Sequence, residues 1–162
     1  VLGFGKPLRG DDGAGPAVAE RLEELLQADG VTTATCLVSM QLTPELADDL
    51  SAFRRVVFVD ASFELEPGKA SVTQVWPRDQ RAVLGHLMSP EQLLALCQGA
   101  FGNCPDAWVV ALGAGEMELG ETLSADVASA VERLAGRLRY CVAQWDQQDQ
   151  DGVAGMDVAG AA

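Results

Sequence analysis

Apolar and polar positions alternate between two periods along this chain. Val1 to Gly5 is a short apolar run that closes into the polar, Gly-rich stretch Lys6 to Gly15, which reads as a buried strand followed by a loop. Pro16 suits the first turn of a helix. Val18, Leu22, Leu25 and Leu26 then recur at helical spacing, with Glu20, Arg21, Glu23 and Glu24 on the wet face. Asp29-Gly30 ends that helix, and Val31 to Val38, rich in Thr and Val, predicts a second strand. Thr43-Pro44-Glu45 predicts a helix start with Thr43 as N-cap and Pro44 at the first helical position.

The second half repeats the alternation. Val56-Val57-Phe58-Val59 is apolar on both faces and is closed by Asp60, as befits a central strand of a parallel sheet covered by helices. Pro67-Gly68 marks a turn, and Ala70 to Trp76 predicts a strand at or near an edge. Ser89-Pro90-Glu91-Gln92 carries capping chemistry and opens a helix through Leu93, Leu94 and Leu96. Ala107 to Leu112 predicts another buried strand, and Ser124 caps a last helix with Val127, Val131, Leu134 and Leu138 on one face. These elements predict an α/β fold: three layers, α/β/α, around a twisted, mainly parallel five-stranded sheet. From about Gln144 the polar run Asp146 to Asp151 and the Gly/Ala-rich end break the pattern. The expected division is therefore one domain over residues 1–143 and a flexible tail over 144–162.

Composition narrows the function classes. The 162 residues, 48% of them hydrophobic, suffice for one core without a metal or disulfide staple. With 24 Asp and Glu against 11 Lys and Arg, the formal net charge is −13. That balance argues against a phosphate backbone as partner and against an anionic membrane surface. No apolar run approaches the roughly 18 residues that span a bilayer, so no membrane insertion is expected. Val1 to Gly5 has no basic n-region or cleavage site, so no signal peptide is expected, and the strand begins mid-stride, as though a few residues precede it. Cys36, Cys97, Cys104 and Cys141 form no CxxC and no zinc-ligand spacing. They read as structural free thiols of a reducing, cytoplasmic compartment.

The loop after the first strand is the first place to look for chemistry. A strand, a Gly-rich loop and a helix suggest nucleotide binding, yet Leu8 stands where the dinucleotide fingerprint needs its third glycine. Asp11 and Asp12 stand where a P-loop needs Lys and a hydroxyl. Two carboxylates there repel phosphate, so no nucleotide cofactor is expected. In an open α/β sheet, ligands collect beyond the carboxyl ends of the strands, where strand order reverses. Asp12 leaves the first strand at that end and Asp60 closes its own strand there, so neighbouring strands would bring both to one crevice. His86, the only histidine, lies in the loop before the Ser89-capped helix. Two carboxylates and an imidazole make a plausible divalent transition-metal site. Each residue also has an ordinary reading: Asp as a turn or cap residue, His as a solvated loop group. Asp11 reads as a residue that shapes the loop.

These segments resemble the hydrogenase maturation endopeptidase family from Val1 to about Arg139. The matching stretches are Leu2-Gly3-Phe4-Gly5, Arg9 to Gly15, Gln41 to Leu46, Val57 to Ser62, His86 to Glu91, Gly115-Glu116 and Glu118-Leu119-Gly120. The resemblance implies a five-stranded sheet and action on the large-subunit precursor of a nickel-iron hydrogenase. It implies that Asp12, Asp60 and His86 contact nickel supplied by that precursor, with Asp12 and Asp60 in catalytic roles. Some members place the metal His within the Ser-Pro-x stretch, where this chain has Glu91. Lys6 replaces a usual Asn, and Met40 stands where relatives often carry a polar residue.

The chain has no His-Glu-x-x-His helix and no Gly-x-Ser-x-Gly elbow. A metal delivered by the substrate would supply the missing electrophile. Three other readings stay open: a diverged member that binds the precursor without cutting it, a small hydrolase with a permanently bound metal, and an anion- or nucleotide-binding module. Precursor binding without turnover, elemental analysis, and a thermal-shift screen would distinguish them in that order.

Overall fold

A computed structural model describes residues 1–78 and 88–151 of the chain. The strands are β1 (Leu2–Phe4), β2 (Leu37–Ser39), β3 (Arg55–Ser62), β4 (Ala70–Val75) and β5 (Asp106–Gly113). The helices are α1 (Ala14–Ala28), α2 (Leu46–Ser51), α3 (Pro90–Leu96) and α4 (Ala125–Asp151). The strands form one five-stranded sheet in the order β2-β1-β3-β5-β4. All pairings are parallel except that of the edge strand β4 with β5, which is antiparallel. The expected α/β architecture is the one observed.

The central strands are apolar on both faces because both faces are covered. Val57, Val59, Trp108, Val110 and Leu112 join Val18 and Leu22 of α1 and Leu134 and Leu138 of α4 in one buried cluster. The alternate residues Val56, Phe58 and Ala107 join Leu50 of α2 and Leu93 and Leu94 of α3 in a second. A strand's side chains change face at every residue, so one continuous apolar run serves two helical layers. The α1 layer sits very close to the sheet. A Cβ on Gly15 would lie 2.4 Å from the Val59 carbonyl oxygen and 2.5 Å from that of Phe4. Only glycine lets the start of α1 rest on the ends of β1 and β3.

Capping is as expected at α3. Ser89 accepts from the Gln92 backbone N–H, and the Gln92 side chain accepts from the Ser89 N–H, a complete capping box with Pro90 at the helix start. Elsewhere three expectations are corrected. The strand expected over Val31 to Val38 is reduced to Leu37–Ser39. At its start Thr33 turns its hydroxyl to Asp146 on α4 (2.6 Å). Pairing with the first strand begins only at Thr35, whose carbonyl accepts from the Val1 amino group (2.6 Å), and Leu37, whose N–H donates to the Val1 carbonyl (2.8 Å). At α2 the cap is Glu45 rather than Thr43. Leu46 N–H reaches back to the Thr43 carbonyl (3.2 Å) and Ala47 N–H to that of Pro44 (3.1 Å), a tight turn before the helix proper.

The third correction concerns the end of the chain. α4 continues to Asp151, through residues read from sequence as the start of a flexible tail. Trp145 continues the Leu138 and Cys141 stripe, is buried, and stacks on Trp108 with ring centroids 5.5 Å apart. Arg55 lies over the same indole, and Asp149 binds Arg55 (2.8 Å) and Arg54 (2.7 Å). A polar sequence thus remains helical because its apolar minority falls on one face. Residues 152–162 lie outside the described part. All four cysteines are free, Cys97 and Cys141 buried. Among the described residues no helix is long and apolar enough to cross a membrane.

Candidate active site

β1 has β2 on one side and β3 on the other, so the connections leaving β1 and β2 run in opposite directions across the sheet. The reversal falls at the carboxyl ends of β1 and β3, the usual ligand position in such sheets. The first loop leaves β1 at that end. It ends in a short 3-10 turn, Gly10–Gly13, which carries Asp11 and Asp12 straight into α1.

The two neighbouring aspartates have opposite surroundings. Asp11 has no exposed surface. Its Oδ2 accepts from Gly115 N–H (2.9 Å), Glu116 N–H (3.0 Å) and the Ser124 hydroxyl (2.9 Å), and its Oδ1 accepts from Ser124 N–H (2.7 Å). Burial pushes its pKa upward, but the donors from Ser124, Glu116 and Gly115 outweigh it and hold the carboxylate below its ordinary range. Its backbone N–H donates to the Glu116 carbonyl (2.8 Å). Gly10 N–H donates to the Gly120 carbonyl (2.8 Å), and Gly120 N–H to the Leu8 carbonyl (3.1 Å). Asp11 is therefore the clamp between the first loop and the loop after β5, in line with its reading as a loop-shaping residue. The clamp's partners were not legible in sequence, although Gly115-Glu116 had stood out as a motif.

Asp12, one residue on, is only half-buried. It accepts from the Lys6 backbone N–H (3.3 Å). Gly5 makes room for it: with φ at +141°, a Cβ there would meet the Asp12 carbonyl oxygen at 2.0 Å. Asp60 lies on β3, two residues before its end, and accepts from Ala61 N–H (2.9 Å). Burial pushes its pKa up; the Ala61 hydrogen bond offsets part of this, and the nearby charge of Asp12 adds to it. The result is a carboxyl raised to about 6. Asp12 therefore lies near enough for its charge to act on Asp60.

Among the described residues no group of three His, Cys, Asp or Glu side chains converges as a metal site. Glu91, in the first turn of α3, does not join the pair. His86 lies outside the described residues. The pair offers two hard oxygen donors.

No protein-family model matches the chain, and no curated protein matches it. Solved structures do. The chain is 29% identical to the NiFe hydrogenase maturation protease HycI from Thermococcus kodakarensis KOD1, with a TM-score of 0.67 over 86% of this chain and 88% of that one. It shares its fold with the hydrogenase maturating endopeptidase HybD from E. coli, at 16% identity and a TM-score of 0.64 over 88% and 90% of the two chains. It shares it too with the hydrogenase 2 maturation peptidase from a Thaumarchaeota archaeon, at 24% identity and 0.62 over 88% and 96%. In fold, this chain is similar to the hydrogenase maturation proteases.

Proposed function

We propose that this chain is an endopeptidase that removes the C-terminal extension of a nickel-loaded hydrogenase large-subunit precursor, the substrate's nickel being held by Asp12, Asp60 and His86. The observation that carries the proposal is the Asp12–Asp60 pair at the reversal point of the sheet, with Asp60 raised to about 6. Two partly buried carboxylates repel one another, and a divalent cation between them would reverse that penalty. Likeness to HycI supports the choice of substrate.

Nickel carried in by the precursor would polarise the scissile carbonyl or activate water. One of the two carboxylates would take the proton released. Asp11 takes no part in the chemistry, since its acceptor positions are already used by backbone and hydroxyl donors. The four free thiols fit a reducing cytoplasm as the place of action.

Incubating a cognate precursor with the protein, with and without prior nickel loading, tests the reading by intact mass. Loss of a C-terminal peptide from the loaded precursor alone is the expected result. Equal loss from both samples would remove nickel from the mechanism. Binding without loss from a verified loaded precursor would leave a precursor-binding protein that does not cut.

A further inference from the structure

Each loop that leaves the carboxyl end of a parallel strand presents one apolar side chain to solvent. Leu8 follows β1, Met40 follows β2, Phe63 follows β3 and Leu119 follows β5, with exposures of 61%, 69%, 67% and 92%. Single exposed apolar residues are ordinary on a protein surface, but a set gathered at one end of the molecule marks a contact region. These four surround the end of the sheet where Asp12 and Asp60 lie.

The loops are also held in place by backbone bonds. Leu8 and Leu119 are joined through the clamp: the Leu8 carbonyl accepts from Gly120 N–H (3.1 Å), and Arg9 and Gly120 form a parallel bridge. Met40 follows Ser39, whose carbonyl accepts from Gly5 N–H (3.1 Å) in the first loop. Phe63 stands three residues after Asp60 in the loop leaving β3. Side chains presented by braced loops lose little backbone freedom when covered, so they are suited to anchor a partner.

Charge selects the occupant. At −13, a second copy of this chain and an anionic bilayer are both repelled. We infer that Leu8, Met40, Phe63 and Leu119 form the docking surface for the folded body of the substrate precursor, which offers them an apolar, neutral-to-basic patch beside its scissile tail. The inference rests on the proposed processing function for the partner's identity, but not on catalysis. Docking here sets affinity, and the Asp12–Asp60 pair sets turnover, so the two roles separate in KM and kcat.

The test compares the wild type with a quadruple variant carrying Leu8→Ser, Met40→Ser, Phe63→Ser and Leu119→Ser. Trp76→Ser serves as control, since Trp76 is 65% exposed just after β4, at the opposite end of the sheet. Melting temperature verifies that all three are folded, and a Leu8→Ser/Leu119→Ser double variant stands in should the quadruple one not fold. Binding of nickel-loaded precursor is measured by interferometry and cleavage by intact mass. The expected result is at least a tenfold rise in Kd and KM for the apolar variants, unchanged kcat at saturation, and no change for Trp76→Ser. Unchanged Kd and KM in a precursor-cleaving wild type would overturn the docking inference and leave the protease reading standing. A wild type that binds through these residues yet never cuts would overturn the protease reading alone. No binding by the wild type, a wild-type dimer lost in the variant, or equal loss of binding to anionic vesicles would each overturn the docking inference.

Discussion

Asp11 in the first loop and Asp60 on β3 show how one side chain can serve opposite ends. Around Asp11 the fold closes completely, with four donors on one carboxylate and no exposed surface. Around Asp60 it supplies one backbone donor, a neighbouring negative charge and partial burial. The first arrangement favours the ionised form and stabilises the fold; the second disfavours it and costs stability at neutral pH. A saturated carboxylate has nothing left to offer a ligand. An under-satisfied one does, which is the usual signature of a working group.

The contrast breaks most visibly at Asp11. Asp11→Ala takes the charged acceptor away from the N–H groups of Gly115, Glu116 and Ser124, an expected loss of about 3 kcal/mol in urea unfolding. Because the folded pKa of Asp11 is depressed, its contribution is present above the unfolded value near 4 and fades as pH falls through the folded one. The gap between wild type and Asp11→Ala should therefore be wide at pH 7 and narrow below about pH 4. A uniform gap at all pH values would mean that the clamp does not act through ionisation.

Asp60→Asn should move stability the other way, by about 2 kcal/mol at pH 7.5. The sign follows from a folded pKa of about 6 set above an ordinary value of 3.8. Both states are protonated below the unfolded pKa, so nothing is lost there. Stability falls as pH rises from about 4 through 6, where only the unfolded chain ionises freely. The gain in the variant should thus grow between about pH 4 and 6 and vanish below about pH 3. A destabilised variant at pH 7.5 would contradict the assigned environment. Asp12→Asn gives the smallest effect: it removes one charge, so the Asp60 titration, followed by carboxyl carbon NMR, should move down yet stay above the ordinary range because burial remains the larger cause. No movement would separate the two carboxylates.

Much of this was legible in the chain itself. The both-faced apolar run through Val59 marks a covered central strand, and Asp12 and Asp60 could be placed at one end because strands of a parallel sheet share a direction. Ser89 was identifiable as a cap because the capping box is local chemistry. The Asp11 clamp was not, because its donors lie more than a hundred residues away, at Gly115, Glu116 and Ser124. The end of α4 was misjudged for a related reason. The polar run Asp146 to Asp151 hides a helix stabilised by Trp145 on Trp108 and by Asp149 on two arginines from β3 and the turn before it. Local composition carries no record of such partners. β2 failed in the opposite sense, its Thr and Val content suggesting a strand longer than the hydrogen-bonded one.

The most direct test of the account is intact-mass analysis of a nickel-loaded precursor incubated with the wild type and with Asp60→Asn, both verified as folded. The account predicts that the wild type releases a C-terminal peptide and that Asp60→Asn, though at least as stable, leaves the precursor whole. Release of the same peptide by Asp60→Asn at a comparable rate would contradict it and would leave the Asp12–Asp60 pair without a catalytic role.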